Sequence, residues 1–319
     1  MKELRVFVSV LILALFSSPI HSQTADSNSI SQEELEAILK HCAEYCERLS
    51  FVLLDFVCTE RINEEIIGPD APSKMIRRLP VPSDIPDSQD SAKFALWMRR
   101  ADLWIKSFFD VSKNRNDEFV YDYQLIRKRN KIIERRNLIE KNGKKKNDKR
   151  AVLETLFAHR NVIFGPIGLL CEAAQSQHHY KILKKETLDG DATYVIEAVP
   201  KEESSLNHLY GKIWIGEKDN AILKIEWYEE SVEGYDPLKE LAKEALLKPE
   251  FMVATEYGYE KKGIRFPSKH QFIESYTSYL PEIKGPQGKK YFKSKKEIEY
   301  TDYKFFTVET EVSSLREKK

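Results

Sequence analysis

Two rhythms of apolar and polar positions run along this chain. Leu35, Ile38, Leu39, Cys42, Cys46 and Leu49 recur at the three-and-four spacing of a single helix face. Ser31, with Glu34 three residues on, forms a capping box ahead of them. The pattern predicts a helix over 32–49, and its apolar stripe must be buried against another element. From Phe51 to Ile62 the chain turns to strand composition, rich in Phe, Val and Leu. From Glu118 a period of two takes over: Phe119, Tyr121, Tyr123 and Leu125 alternate with Val120, Asp122 and Gln124. A turn near Asn130 leads into a second strand through Ile132 and Glu134 to Ile139, followed by a charged loop over 141–150 around Gly143.

Further on, 180–186 pairs with 192–199 across Asp189-Gly190, a strong hairpin turn. Residues 210–215 pair with 221–228 across a polar turn, and 251–260 with 264–275 across Lys261-Lys262-Gly263. A last strand over 295–312 alternates through Ile298, Tyr300, Phe306 and Val308. Short helical stretches are expected over 151–160 and 167–174, and over 236–247, where Asp236 caps and Pro237 takes the first position. Five prolines between Gly68 and Ser91 mark a loop, and 92–109 carries a helical stripe of Phe94, Trp97, Ala101, Trp104 and Phe108, expected to pack on the sheet. The sum is an α+β chain, mostly antiparallel β, with about ten strands in a meander. The helix over 32–49 is the natural cover for one face.

The N-terminus adds a location. Lys2 and Arg5 precede a nearly unbroken apolar run, Val6 to Phe16, then Ser17, Ser18 and Pro19, with small Ser22 before the expected cleavage point. This is the tripartite signal-peptide pattern; the run is too short for a bilayer span. Residues 1–22 are read as the signal peptide and 23–30 as a disordered leader. Residues 31–319 are read as one β domain carrying an inserted Pro-rich and helical segment, 63–117. The mature chain has no second apolar stretch of membrane length, so a periplasmic or otherwise exported protein is expected.

Charge and cysteine content narrow the chemistry. With 51 basic and 51 acidic residues the chain has no global pull toward nucleic acid. Basic residues do concentrate between Arg127 and Arg150, as either an anionic-surface patch or a solvated hairpin edge whose lysines block further pairing. Cys42, Cys46, Cys58 and Cys171 would meet an oxidising compartment. Cys46 with Cys58 is the favoured bridge, tying the helix to the next strand, because a Cys42–Cys46 bridge strains helix geometry. No zinc-type spacing occurs, and no metal or cofactor is expected. There is no G-x-S-x-G, P-loop or G-x-G-x-x-G. His178 and His179 would point to opposite faces of a strand. Cys171 with His159 or His178 is read as packing or bridging rather than as a nucleophile pair. A non-enzyme is favoured over an enzyme, without a motif that decides between them.

Three segments carry a family resemblance: Leu209-Tyr210-Gly211-Lys212-Ile213-Trp214-Ile215 with Ile222 to Glu226; Tyr257-Gly258-Tyr259 through Gly263-Ile264-Arg265-Phe266-Pro267-Ser268; and Tyr300-Thr301-Asp302-Tyr303-Lys304-Phe305. Tyr45-Cys46-Glu47-Arg48-Leu49 before Asp55-Phe56-Val57-Cys58 is a further hallmark, shared with uncharacterised exported bacterial proteins of this type. In order and motif the chain resembles the LolA/LolB-type periplasmic lipoprotein carriers over most of 31–312. That resemblance implies a curved half-barrel sheet wrapped on the N-terminal helix. It also implies a periplasmic binding protein whose apolar cavity takes lipid or lipoprotein acyl chains, with an envelope protein as partner. The alternatives are an envelope interaction protein with a filled core, or an enzyme on the same scaffold. Phe56, Tyr121, Tyr123, Trp214, Trp227 and Phe272 are the expected cavity residues.

Overall fold

The computed structural model describes residues 32–52, 56–67, 114–128, 131–155, 159–201, 209–232, 235–244, 247–278 and 289–306. Eleven strands form one open antiparallel sheet. Its sequence-order members are β1 (Phe56–Ile66), β2 (Arg115–Lys128), β3 (Lys131–Lys141), β4 (Lys144–Lys149), β5 (His178–Leu188), β6 (Asp191–Pro200), β7 (Gly211–Gly216), β8 (Ile222–Trp227), β9 (Leu247–Glu256), β12 (Lys269–Ser278) and β13 (Lys289–Phe305). The spatial order is β4-β3-β2-β1-β13-β12-β9-β8-β7-β6-β5, so β4 and β5 are the two edges among the described residues. A separate ribbon pairs β10 (Tyr259–Lys261) with β11 (Ile264–Phe266).

Register aligns side chains in rows that cross the sheet. One row on the inner face runs Phe119, Ile62, Ile298, His270, Thr255, Ile225, Ile213, Ile196, Ile182, one residue from each of nine strands. The period of two explains the burial. In β1, Phe56, Cys58, Glu60, Ile62, Glu64 and Ile66 are buried while their neighbours are not. The outer face carries opposite charges in cross-strand register, Arg61–Glu299–Lys269–Glu256–Lys224, which suits a solvated surface.

Helix α1 (Gln32–Val52) buries Leu35, Ile38, Cys42, Tyr45, Cys46 and Leu49; this is the expected stripe with Tyr45 added and Leu39 only half-buried. It packs on α2 (Gly165–Leu170), α3 (Glu172–Gln175) and β11. Polar contacts fix its register: Glu34 accepts from the Tyr194 hydroxyl at 2.6 Å, and the Tyr45 hydroxyl bonds both backbone groups of Arg265 at 2.9 Å. A fourth helix, α4 (Tyr235–Glu244), packs against β9. No described helix is long and apolar enough to cross a membrane.

Several expectations are corrected. The charged loop over 141–150 is instead a hairpin: Asn142 and Gly143 take φ of 50° and 71°, and β4 pairs back on β3. Two adjacent positive-φ residues favour this tight turn. The described residues between 151 and 160 are not helical; Ala151 donates to the Arg136 carbonyl at 2.9 Å, and the segment folds over the inner face. The long hairpin over 251–275 is split, because β9 pairs with β12 while β10–β11 turn aside at Gly263, φ 71°. The expected helix over 167–174 is broken at Cys171, whose ψ of 158° is extended. The helical reading of 92–109 lies outside the described residues. All four cysteines are free thiols, so the expected Cys46–Cys58 bridge is not formed; the Cys46 thiol donates to the Pro166 carbonyl at 3.4 Å.

Candidate functional site

Charged residues at positions with apolar parity build the site. Glu60 and Glu64 share the inner face of β1 with Ile62, Arg136 shares that of β3 with Leu138, and Lys296 shares that of β13 with Ile298. In an apolar layer such groups persist only when they satisfy one another. They do so as a continuous chain. Arg136 grips Glu60 through two bonds, Nε to Oε2 at 2.5 Å and Nη2 to Oε1 at 3.0 Å, the bidentate geometry suited to a guanidinium. Its Nη1 reaches Glu134 Oε2 at 2.9 Å, Glu134 Oε1 accepts from the Tyr123 hydroxyl at 3.0 Å, and the guanidinium lies 4.8 Å over the Tyr123 ring.

His159 comes from the irregular segment after β4, not from the sheet. Its Nε2 stands 2.9 Å from Glu60 Oε1, and its Nδ1 stands 3.5 Å from Lys296 Nζ. A carboxylate only accepts and an ammonium only donates. His159 is therefore the neutral Nε2–H form, giving its proton to Glu60 and accepting from Lys296. On the far side, Trp227 Nε1 donates to Thr255 Oγ1 at 3.4 Å, which leaves the Thr255 hydroxyl to donate to His270 Nδ1 at 2.9 Å. The two imidazole rings are 6.2 Å apart. Polar groups thus line this face from β3 to β8, as two hydrogen-bonded sets that meet at these rings.

Electrostatics follow from these contacts. Burial alone would raise the Glu60 pKa; its contacts with His159 and Arg136 outweigh that and hold it at about 2. Since His159 stays neutral at ordinary pH, Arg136 is the charge that keeps Glu60 ionised. Burial lowers His159 against the pull of Glu60. It drives His270 well down, with His159 and Lys296 adding repulsion. Burial brings Lys296 down to about 8, opposed by Glu64 and Glu60. A second polar group lies further along the same face: Glu274 accepts from the Tyr276 hydroxyl at 2.6 Å and from Ser294 Oγ at 3.1 Å, and burial raises its pKa. Among the described residues no cluster of His, Cys, Asp and Glu has metal-binding geometry.

Five of the six expected cavity residues lie on this inner face. Tyr121 is directly opposite Glu60, and Tyr123 and Trp227 belong to the two polar sets. Phe272 is opposite Lys296, and Phe56 sits in an aromatic group with Phe266, Tyr303 and Phe305. Trp214 does not join them. It lies on the outer face with Val195, Ala221 and Leu223, its Nε1 bonded to Glu186 and its ring under Lys224. The alternation of β7 places it there, opposite in parity to Ile213 and Ile215. Sequence reading missed Glu60, Arg136, His159, His270 and Lys296. For all but His159 the signal was present, as a charged or titratable residue at apolar parity in a strand.

Gly165 closes one end of the site. A Cβ there would stand 2.6 Å from the Tyr257 hydroxyl and 3.0 Å from the Trp227 ring. Both neighbours are buried, so Gly165→Ala is expected to cost about 1–3 kcal/mol by overpacking. A thermal melt showing no loss would mean α2 slides freely on β8.

A family model described only as an uncharacterized protein matches residues 172–246. No curated protein is a significant match to the chain. Among solved structures, a DUF1329-family protein from Desulfovibrio piger is similar at 11% identity and TM-score 0.32, covering 84% of this chain and 92% of that one. A LolA-superfamily protein from Nitrosomonas europaea is similar at 11% identity and TM-score 0.31, covering 86% and 94%. A Vibrio parahaemolyticus protein described as an outer membrane lipoprotein-sorting domain is similar at 10% identity and TM-score 0.33, covering 86% and 95%. Likeness at this level says nothing about family, ligand or activity.

Proposed function

We propose that this protein is an exported, non-catalytic binding protein that holds an amphipathic ligand of acyl-chain type on the inner face of its open sheet. The apolar part lies against the aromatic and aliphatic rows, and the polar end meets the Glu60–Arg136–His159–Lys296 chain. One observation carries this reading: fully buried charges are kept in the middle of an otherwise apolar face. Well-packed apolar residues would serve stability there equally well or better, so charge retained at such a place points to use. The Tyr121 hydroxyl supports it: it is buried opposite Glu60, with the Glu154 backbone nearby, and no group among the described residues meets full hydrogen-bond geometry with it. Buried polar groups without partners are few and call for a reason.

Native mass spectrometry of protein purified gently from its own envelope fraction, followed by solvent extraction, tests the reading. A stoichiometric lipid-sized adduct is expected. A clean apo mass with no uptake of added lipids overturns it in favour of an interaction protein with a filled core. Tyr121→Phe removes only the unsatisfied hydroxyl. It is expected to leave the melting temperature nearly unchanged, within about 0.5–1 kcal/mol, while weakening adduct retention. Equal loss of stability and retention would count against a dedicated site. An enzyme on the same scaffold is a second reading, favoured by Lys296 held down to about 8 beside a neutral imidazole. Its signature is a chemically altered species in the extract rather than an intact ligand.

A further inference from the structure

The β3–β4 hairpin stands apart from the rest of the surface. Residues 131–150 hold nine basic and three acidic side chains in a chain that is neutral overall, with 51 of each. Arg136 is spent on Glu60 and Glu134, and Lys141 on Glu154. The four lysines of β4 are presented to solvent, for every residue of that strand is exposed.

The same hairpin concentrates exposed aliphatic surface. Of the exposed large hydrophobics among the described residues, Ile132, Ile133 and Ile139 lie on β3, and Val152, 82% exposed, follows β4 directly. Register places Ile133, Arg135, Lys145 and Lys149 on one face: Ile133 pairs with Ile126, Arg135 with Gln124, Lys145 with Glu140 and Lys149 with Asn137, all outward positions. Aliphatic side chains ringed by lysine and arginine on an open edge suit a surface that is anionic above and apolar beneath. A lysine-lined edge also resists the addition of another strand, which argues against a peptide occupant.

We propose that the β3–β4 hairpin docks this protein edge-on on an anionic lipid surface, with Lys145 and Lys149 of the outward face and the exposed Lys144 and Lys146 at the hairpin edge meeting the headgroups, and Ile133 and Ile139 reaching the acyl boundary. This docking is independent of what the inner face holds. It places β4 at the membrane and leaves the opposite edge, β5, facing away.

Sedimentation of the chain from residue 23 onward, without the expected signal peptide, with vesicles decides it. Phosphatidylcholine vesicles containing phosphatidylglycerol are expected to bind the protein, phosphatidylcholine alone is not, and binding is expected to weaken as salt rises. Each lysine removed is expected to lower partition about fivefold. The K144E/K145E/K146E variant is expected to lose binding with its melting temperature intact. I139S is expected to cause a loss that persists in high salt. Absence of binding, equal binding to both vesicles, or full binding by the triple variant each overturns the proposal. Retention on a polyglutamate matrix with none on phosphatidylglycerol overturns it in favour of an acidic protein. If the triple variant melts early, the salt dependence and lipid preference of the unaltered chain decide on their own.

Discussion

Glu60→Gln is expected to destabilise the fold by about 3–5 kcal/mol, the cost of leaving a buried partner charge unpaired. Arg136 is 7% exposed and Glu60 fully buried, so water cannot replace the lost carboxylate. Glu134 offers Arg136 one remaining bond at 2.9 Å, which does not restore the bidentate grip. Expressed as heat stability, the loss is roughly 10 °C in Tm for a chain of this size. The double variant Glu60→Leu with Arg136→Met is expected to recover most of it, because an apolar pair of similar volume avoids both desolvation costs. Thermal melts of the two singles and the double, read as a double-mutant cycle, measure the coupling. A single variant within about 1 kcal/mol of the unaltered chain would show that the pair carries little structural charge. If the double variant is stable yet no longer retains ligand, the charges serve binding rather than the fold.

Stability is also expected to fall steadily as the solution is acidified from neutrality. His159 and His270 have pKa values depressed below their ordinary 6.5. Below that value the unfolded chain takes up protons that the folded chain refuses, so folding becomes less favourable as pH drops. Glu60 acts lower: its folded value of about 2 lies under its ordinary 4.5. Its contribution is complete above 4.5 and lost between 4.5 and 2, with a size of roughly 3 kcal/mol. Lys296, depressed from 10.5 to about 8, contributes a loss already complete below 8 and so adds no slope in acid. Two acid limbs are therefore expected, one starting near 6.5 and one near 4.5. His270→Gln should flatten the upper limb and leave the lower in place; His159→Gln should flatten the upper limb and also weaken the lower, because His159 is one of the contacts that hold Glu60 down. Denaturant midpoints across pH test this, and an upper limb untouched by both substitutions would assign it to other groups.

The hairpins at Asp189-Gly190 and at the β7–β8 turn, the inward set Phe119, Tyr121, Tyr123 and Leu125, and the α1 stripe were all legible along the chain. Each depends on a local period or a turn residue, which sequence displays directly. Where reading failed, two local signals competed. The lysines of 144–149 look like a loop, yet the positive-φ turn at Asn142-Gly143 folds them into an edge strand. Trp214 is aromatic and flanked by isoleucines, but its strand parity turns it outward.

The sequence by itself determined that this is a mostly antiparallel β protein, which positions face its interior, and that charges occupy some of them. Only the tertiary structure decided which charges meet. Glu60, Arg136, His159 and Lys296 are far apart along the chain, and β13 sits beside β1 because the final strand closes onto the first. That long-range pairing has no local signature. His159 lies in a stretch whose expected helix is absent from the described residues, and it is held by its contacts with Glu60 and Lys296.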